Sequence, residues 1–115
     1  MNAYENYLAG NECLKKSDYI SAIGYLITSN SLEPHFKTYE KLFLCYRAVG
    51  QIERAFDCIS CSYELNRNND KIALEYAEML AEYKHNYAFA KEILLNVLQR
   101  NPLYKPAEKL INTIP

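Results

Sequence analysis

The stretch Asp18-Tyr19-Ile20-Ser21-Ala22-Ile23-Gly24-Tyr25-Leu26 decides the fold, because its placing of large and small residues returns twice further along the chain. The anchors are Ala22, Ala55 and Ala90. Three residues before each stands a large apolar side chain (Tyr19, Ile52, Tyr87), and four after each stands another (Leu26, Ile59, Leu94). On a helix these positions share one face, so each alanine marks a place where two helices can approach closely. Upstream of each anchor lies a second amphipathic segment, with Ala9 and Cys13, then Tyr39, Leu42 and Tyr46, then Leu74, Ala77 and Ala81. The repeated unit is therefore a pair of helices.

Local chemistry supplies the breaks. Gly50 can take a left-handed cap, Ser17-Asp18 and Asn86 can cap the second helices of their pairs, and Asn2 with Glu5 has capping-box spacing. Pro34 and Pro102 stop the second helices of the first and third units. Between them, the polar run Asn66-Arg67-Asn68-Asn69-Asp70 does the same for the middle unit. Capping and breaker signals together predict helices over about 3–16, 19–32, 36–49, 52–65, 70–84, 87–100 and 105–112. The last begins near Pro106, and Leu110, Ile111 and Ile114 can cover the apolar face that the third pair leaves open.

Composition narrows the class. A chain of 115 residues makes one domain with a modest core, and its formal net charge of −1 points to neither a nucleic-acid backbone nor an anionic membrane as partner. No apolar run is long enough to span a bilayer, and the start Met1-Asn2-Ala3-Tyr4-Glu5 lacks the regions of a signal peptide, so the expected location is the cytoplasm. There Cys13, Cys45, Cys58 and Cys61 stay reduced and behave as small hydrophobes.

The repeat resembles the tetratricopeptide repeat. In the first unit Leu8-Ala9-Gly10-Asn11, Lys15, Asp18-Tyr19, Ala22-Ile23, Tyr25-Leu26 and Leu32-Glu33-Pro34 fall where that family's pattern puts such residues. The second matches at Tyr39, Leu42, Tyr46, Gly50, Ala55, Ile59 and Leu65 but has Phe43 at a small-residue position. The third matches at Ala77, Tyr87, Ala90, Leu94, Val97 and Pro102 and departs at Glu78 and His85. The resemblance implies an all-α solenoid, an α–α superhelix of three hairpins (about 3–35, 36–70 and 71–104) closed by a capping helix over about 105–112, all one domain.

It also implies where partners bind. In such arrays the first helix of each pair lines a concave groove, here offering Tyr4, Tyr7, Asn11 and Leu14, then Lys37, Lys41, Leu44 and Arg47, then Ile72, Tyr76, Met79 and Tyr83. Apolar and aromatic ends flanking a charged middle suit an amphipathic helix or an extended segment of a protein partner. The alternative for each tyrosine is packing within the solenoid. The carboxylate clamp that some family members use on chaperone tails is missing, since only Asn11 fits and Tyr7, Lys41, Ile72 and Tyr76 occupy its other positions. A monomer or weak homodimer is expected. A second function class, a chaperone resembling those of type III secretion that masks an aggregation-prone subunit, suits the same groove.

Catalysis has little support. His35 and His85 fall in predicted turns with no nucleophile or carboxylate fixed beside them by spacing. Cys58-Ile59-Ser60-Cys61 lies in the middle of a predicted helix, whereas a redox pair sits at a helix start, and no further ligands at short spacing complete a metal site. Neither an enzyme nor a cofactor is expected.

Overall fold

A computed structural model describes residues 1–115, and its backbone is helical throughout with no strand. The helices are α1 (Ala3–Lys15), α2 (Tyr19–Leu32), α3 (Phe36–Ala48), α4 (Ile52–Leu65), α5 (Asp70–Glu82), α6 (Tyr87–Arg100) and α7 (Lys105–Thr113). Successive helices pack as the pairs α1/α2, α3/α4 and α5/α6, and α7 packs on α6 and α5. The chain divides into two compact units, Met1–Leu65 with the first two hairpins and Asn66–Pro115 with the third hairpin and α7.

The helix starts follow from side-chain caps. Asn2 and Glu5 exchange reciprocal bonds of 2.9 and 2.8 Å, satisfying two amides that the helix itself leaves unpaired. Asp18, Asn69 and Asn86 cap α2, α5 and α6 by accepting from Ser21, Ile72 and Phe89. The polar run 66–70 thus carries its capping residue at Asn69.

In unit 1 the anchors behave as the pattern requires. Ala22, Leu26, Ala55 and Ile59 have no exposed surface, and each fully buried Leu or Ile contributes about 2 kcal/mol by leaving water. Gly10 of α1 shows how close the helices come, since a Cβ built there would lie 2.7 Å from Leu26 and 3.3 Å from the Ala22 carbonyl. At the corresponding position of the second hairpin, Phe43 is completely buried, so the middle pair fills with a ring what the first closes by backbone approach. In unit 2, Ala90, Leu94 and Val97 are fully buried, and so is Ala107 of the capping helix, with Ile114 nearly so. Val97 and Leu94 are therefore covered, as the expected cap requires.

The turn inside each hairpin uses a left-handed residue: Ser17 (φ 59), Gly50 (φ 81) and His85 (φ 54). In the first two, the following amides, of Asp18 and Gln51, reach back 2.9 Å to the carbonyls of Cys13 and Tyr46. This is the bond that closes a left-handed helix terminus. The third turn is one residue wider, with the Asn86 amide on the Leu80 carbonyl at 2.8 Å.

Candidate partner-binding surface

The sequence-predicted groove residues divide by unit. In unit 1 they lie on α1 and α3, which are in contact. Tyr4, Lys37 and Arg47 are exposed, whereas Tyr7, Asn11, Leu14, Lys41 and Leu44 are half-buried. In unit 2, Tyr83 is half-buried, but Ile72, Tyr76 and Met79 keep only 3, 6 and 7% of their surface. Those three belong to the core rather than to a binding face. Tyr76 packs edge-on against Phe89 of α6 at 6.0 Å, which is the packing alternative that every groove tyrosine carried.

The first unit holds a concavity of about 350 Å³ between α1, the end of α2 and the start of α3. Tyr4, Tyr7 and Lys37 line it together with Glu33 and His35, and so do the buried Ser29 and Thr38. Its walls are fixed by short-range chemistry. Ser29 of α2 donates 2.7 Å to the Ala3 carbonyl, holding the first turn of α1 against α2. After Pro34 ends α2, the His35 amide donates to Asn30 Oδ1 at 3.2 Å, and His35 Nδ1 accepts from the Lys37 amide at 3.1 Å. The imidazole also stacks on Phe36 at 4.7 Å. His35, which the sequence places in a turn, is thus the N-cap of α3 as well as part of the wall. Ser29, Glu33, His35 and Thr38 were absent from the sequence-predicted set. The one available signal was a polar residue between a helix-stopping proline and an amphipathic run.

Electrostatics leave this surface mixed. Burial, then the negative charge of Glu40, raises the Tyr7 hydroxyl above its ordinary value, so near neutrality it remains a neutral group able to donate. Lys41 lies 4.0 Å from Glu40, and the Arg47 guanidinium sits 4.6 Å from the centre of the Phe43 ring. Lys37 brings a cation to the edge of the concavity.

Cys45, Cys58 and Cys61 are each shifted away from the thiolate form. Cys58 and Cys61 sit inside α4, away from its N-terminus, and burial, followed by Cys61 and Asp57, pushes the Cys58 thiol up to about 12. Burial likewise lifts Cys45 to about 11, partly opposed by Lys41, and raises Cys61. Such thiols stay protonated near neutral pH and are poor nucleophiles. No cluster of three or more His, Cys, Asp or Glu side chains is placed to hold a metal ion, and no helix is long and apolar enough to cross a membrane.

Several solved structures that match nearly the whole chain are tetratricopeptide-repeat domains. The domain of Arabidopsis OM64 matches with a TM-score of 0.78 at 15% identity, covering 96% of this chain and 91% of that one. The second domain of human RPAP3, in complex with an HSP70 peptide, matches at 0.78 and 16% identity over 96% of both chains. The Yersinia enterocolitica type III secretion chaperone SycD, in complex with a peptide of the translocator YopD, matches at 0.74 and 18%, covering 96% of this chain and 86% of that one. No family model and no curated protein matches the sequence. The likeness, together with seven helices arranged as three pairs and a cap, gives the chain the tetratricopeptide-repeat fold, an all-α solenoid.

Proposed function

We propose that the chain is a non-catalytic protein-binding module that holds a helical or extended segment of a partner protein against the α1–α3 face of its first unit. The observation that carries this is the 350 Å³ concavity where Tyr4, Tyr7 and Lys37 come together. Two tyrosines offer large, amphipathic contact area at low rotamer cost, while Lys37 adds a cation for an acidic or carbonyl group of the partner. Ile72, Tyr76 and Met79 drop out of the proposed surface because they are buried. Residues 1–115 act as one domain in this proposal, working in the cytoplasm without nucleic acid or membrane as partner.

Complexes among the neighbours add support, since RPAP3 and SycD are both seen with peptides bound. The test is a peptide array probed with the intact chain and with Tyr4→Ala/Tyr7→Ala and Lys37→Glu variants. Peptides should be retained by the parent and lost by the tyrosine variant, with helicity and melting temperature nearly unchanged. Retention of the same peptides by all three proteins would place recognition elsewhere.

The SycD likeness favours one second reading, a secretion chaperone that masks an aggregation-prone subunit. Co-expression with subunits encoded beside this chain's gene distinguishes it. A chaperone keeps such a subunit soluble, and the Tyr4→Ala/Tyr7→Ala variant lets it precipitate.

A further inference from the structure

Helix α2 differs from its counterparts in the line of residues it turns to solvent. Around a helix, positions 20, 24, 27 and 31 fall within about 60° of one another. In α2 they are Ile20, Gly24, Ile27 and Ser31, all exposed, with Ile20 at 72% and Ile27 at 47%. The same line on α4 reads Glu53, Asp57, Ser60 and Glu64. From Tyr19 to Leu32 there is no charged residue, although this is a surface helix of a chain that is 23% charged. Together these exposed isoleucines form an apolar strip without charge, chemically suited to burial against another surface.

Shape and charge identify the cover. The spacing 20–24–27–31 is 4, 3, 4, which reads the same in either direction. When a second α2 lies antiparallel across the first, Ile27 faces the other copy's Gly24 and Ile20 faces its Ser31, so each large side chain meets a small one. Gly24 offers the space required, because a Cβ built there would have nothing within 4 Å. A two-fold axis brings identical faces together, so like charges on them repel; the α4 line would set acid against acid, and the α2 line carries no charge to repel. We propose that the exposed face of α2 is the interface of a two-fold homodimer, the helices packed antiparallel with Ile27 of each copy seated over Gly24 of the other. One helix face is smaller than the roughly 800 Å² per partner of a standard interface, so the dimer is weak and depends on concentration.

Sedimentation equilibrium of the intact chain, from micromolar to submillimolar concentration, provides the first measurement. The weight-average mass should climb from the monomer's 13.4 kDa toward twice that value. An Ile20→Lys/Ile27→Lys variant with unchanged circular dichroism should stay at the monomer mass, as should a Gly24→Glu/Ser31→Glu variant. Mixed in equal amounts, the two should regain association, because each lysine then faces a glutamate. A parent that remains monomeric throughout overturns the proposal, as does a dimer that survives the lysine changes, or a mixture that fails to pair. If the monomeric parent instead binds neutral phosphatidylcholine vesicles through Ile20 and Ile27, the face belongs to a lipid surface and the proposal is equally overturned.

Discussion

The Ser62 hydroxyl donates to the Phe36 carbonyl at 2.8 Å, repeating in the second hairpin the bond that Ser29 makes to Ala3 at 2.7 Å in the first. Both serines are buried, and in each case the bond joins the second helix to the first residue of its partner. The third hairpin has Val97 at this place, completely buried, and is tied instead by Arg100 on Asp70 at 2.9 Å. Two polar stitches and one apolar plug thus meet the same demand. Ser62→Ala should cost about 1 kcal/mol through the lost bond and the small void, whereas Ser62→Val, which copies the third hairpin's residue, should cost less if the site can dry. Urea denaturation of the two variants measures the difference.

Two glycines on neighbouring helices should respond in opposite directions to the same change. At Gly10 an added methyl meets Leu26 at 2.7 Å and the Ala22 carbonyl at 3.3 Å, so α1 must shift away from α2. Gly24 has open space and no positive φ, and there alanine supplies the usual helix-propensity gain. Gly10→Ala is expected to destabilise by about 1–3 kcal/mol and Gly24→Ala to stabilise by about 0.5–1 kcal/mol. Thermal melts at micromolar concentration, where any association through α2 is small, check both signs.

The helices are legible in the sequence because their causes are local, whereas the burial of three groove residues on α5 is not. All seven helices begin within a residue of where capping and breaker signals put them, because Asn2, Asp18, Gly50, Asn69, Asn86 and the prolines act on their immediate neighbours. Burial on a second helix face has no such local cause. α1 buries only Asn6 and Gly10, so its outward residues stay available. α5 buries Ile72, Ala73, Tyr76, Ala77, Met79, Leu80 and Ala81, which spread over about 200° of its circumference. Periodicity identifies one buried face and predicts that the other is free; for Ile72, Tyr76 and Met79 long-range packing decides otherwise. The α2 face is illegible for a related reason, since the repeat pattern specifies the buried Ala22 and Leu26 and places no constraint on Ile20 or Ile27.

The left-handed turns offer a test of backbone strain. Ser17 and Gly50 occupy equivalent places, with φ of 59 and 81, yet only Gly50 is free of the Cβ that makes this region costly. Ser17→Gly should therefore stabilise the protein, by less than the 1–2 kcal/mol steric term because glycine also loosens the unfolded chain. Gly50→Ala, in which a Cβ is added with no atoms within 4 Å to obstruct it, should destabilise by about 1 kcal/mol for conformational reasons alone. A loss at Gly50 without the gain at Ser17 would mean that the serine hydroxyl itself supports the turn.

Alkaline pH should reveal the buried thiols. Cys58 is raised from 9.0 to about 12 and Cys45 from 9.0 to about 11, both chiefly by burial. Between about pH 9 and these values the unfolded chain has lost protons that the native protein keeps, so the native state binds more protons and stability falls as pH rises. Below about pH 9 both states hold the protons, and the thiols make stability neither rise nor fall. Tyr7, Tyr39, Tyr46 and Tyr104, all raised by burial, extend the decline in the same direction above their ordinary value of 10.0. The urea midpoint should therefore drop between about pH 9 and about pH 10.5, and Cys58→Ala should make that drop shallower, whatever its own cost at neutral pH. Alkylation at neutral pH should modify the exposed Cys61 well before Cys45, which has no exposed surface; equal rates would show that the α3/α4 hairpin is open for much of the time.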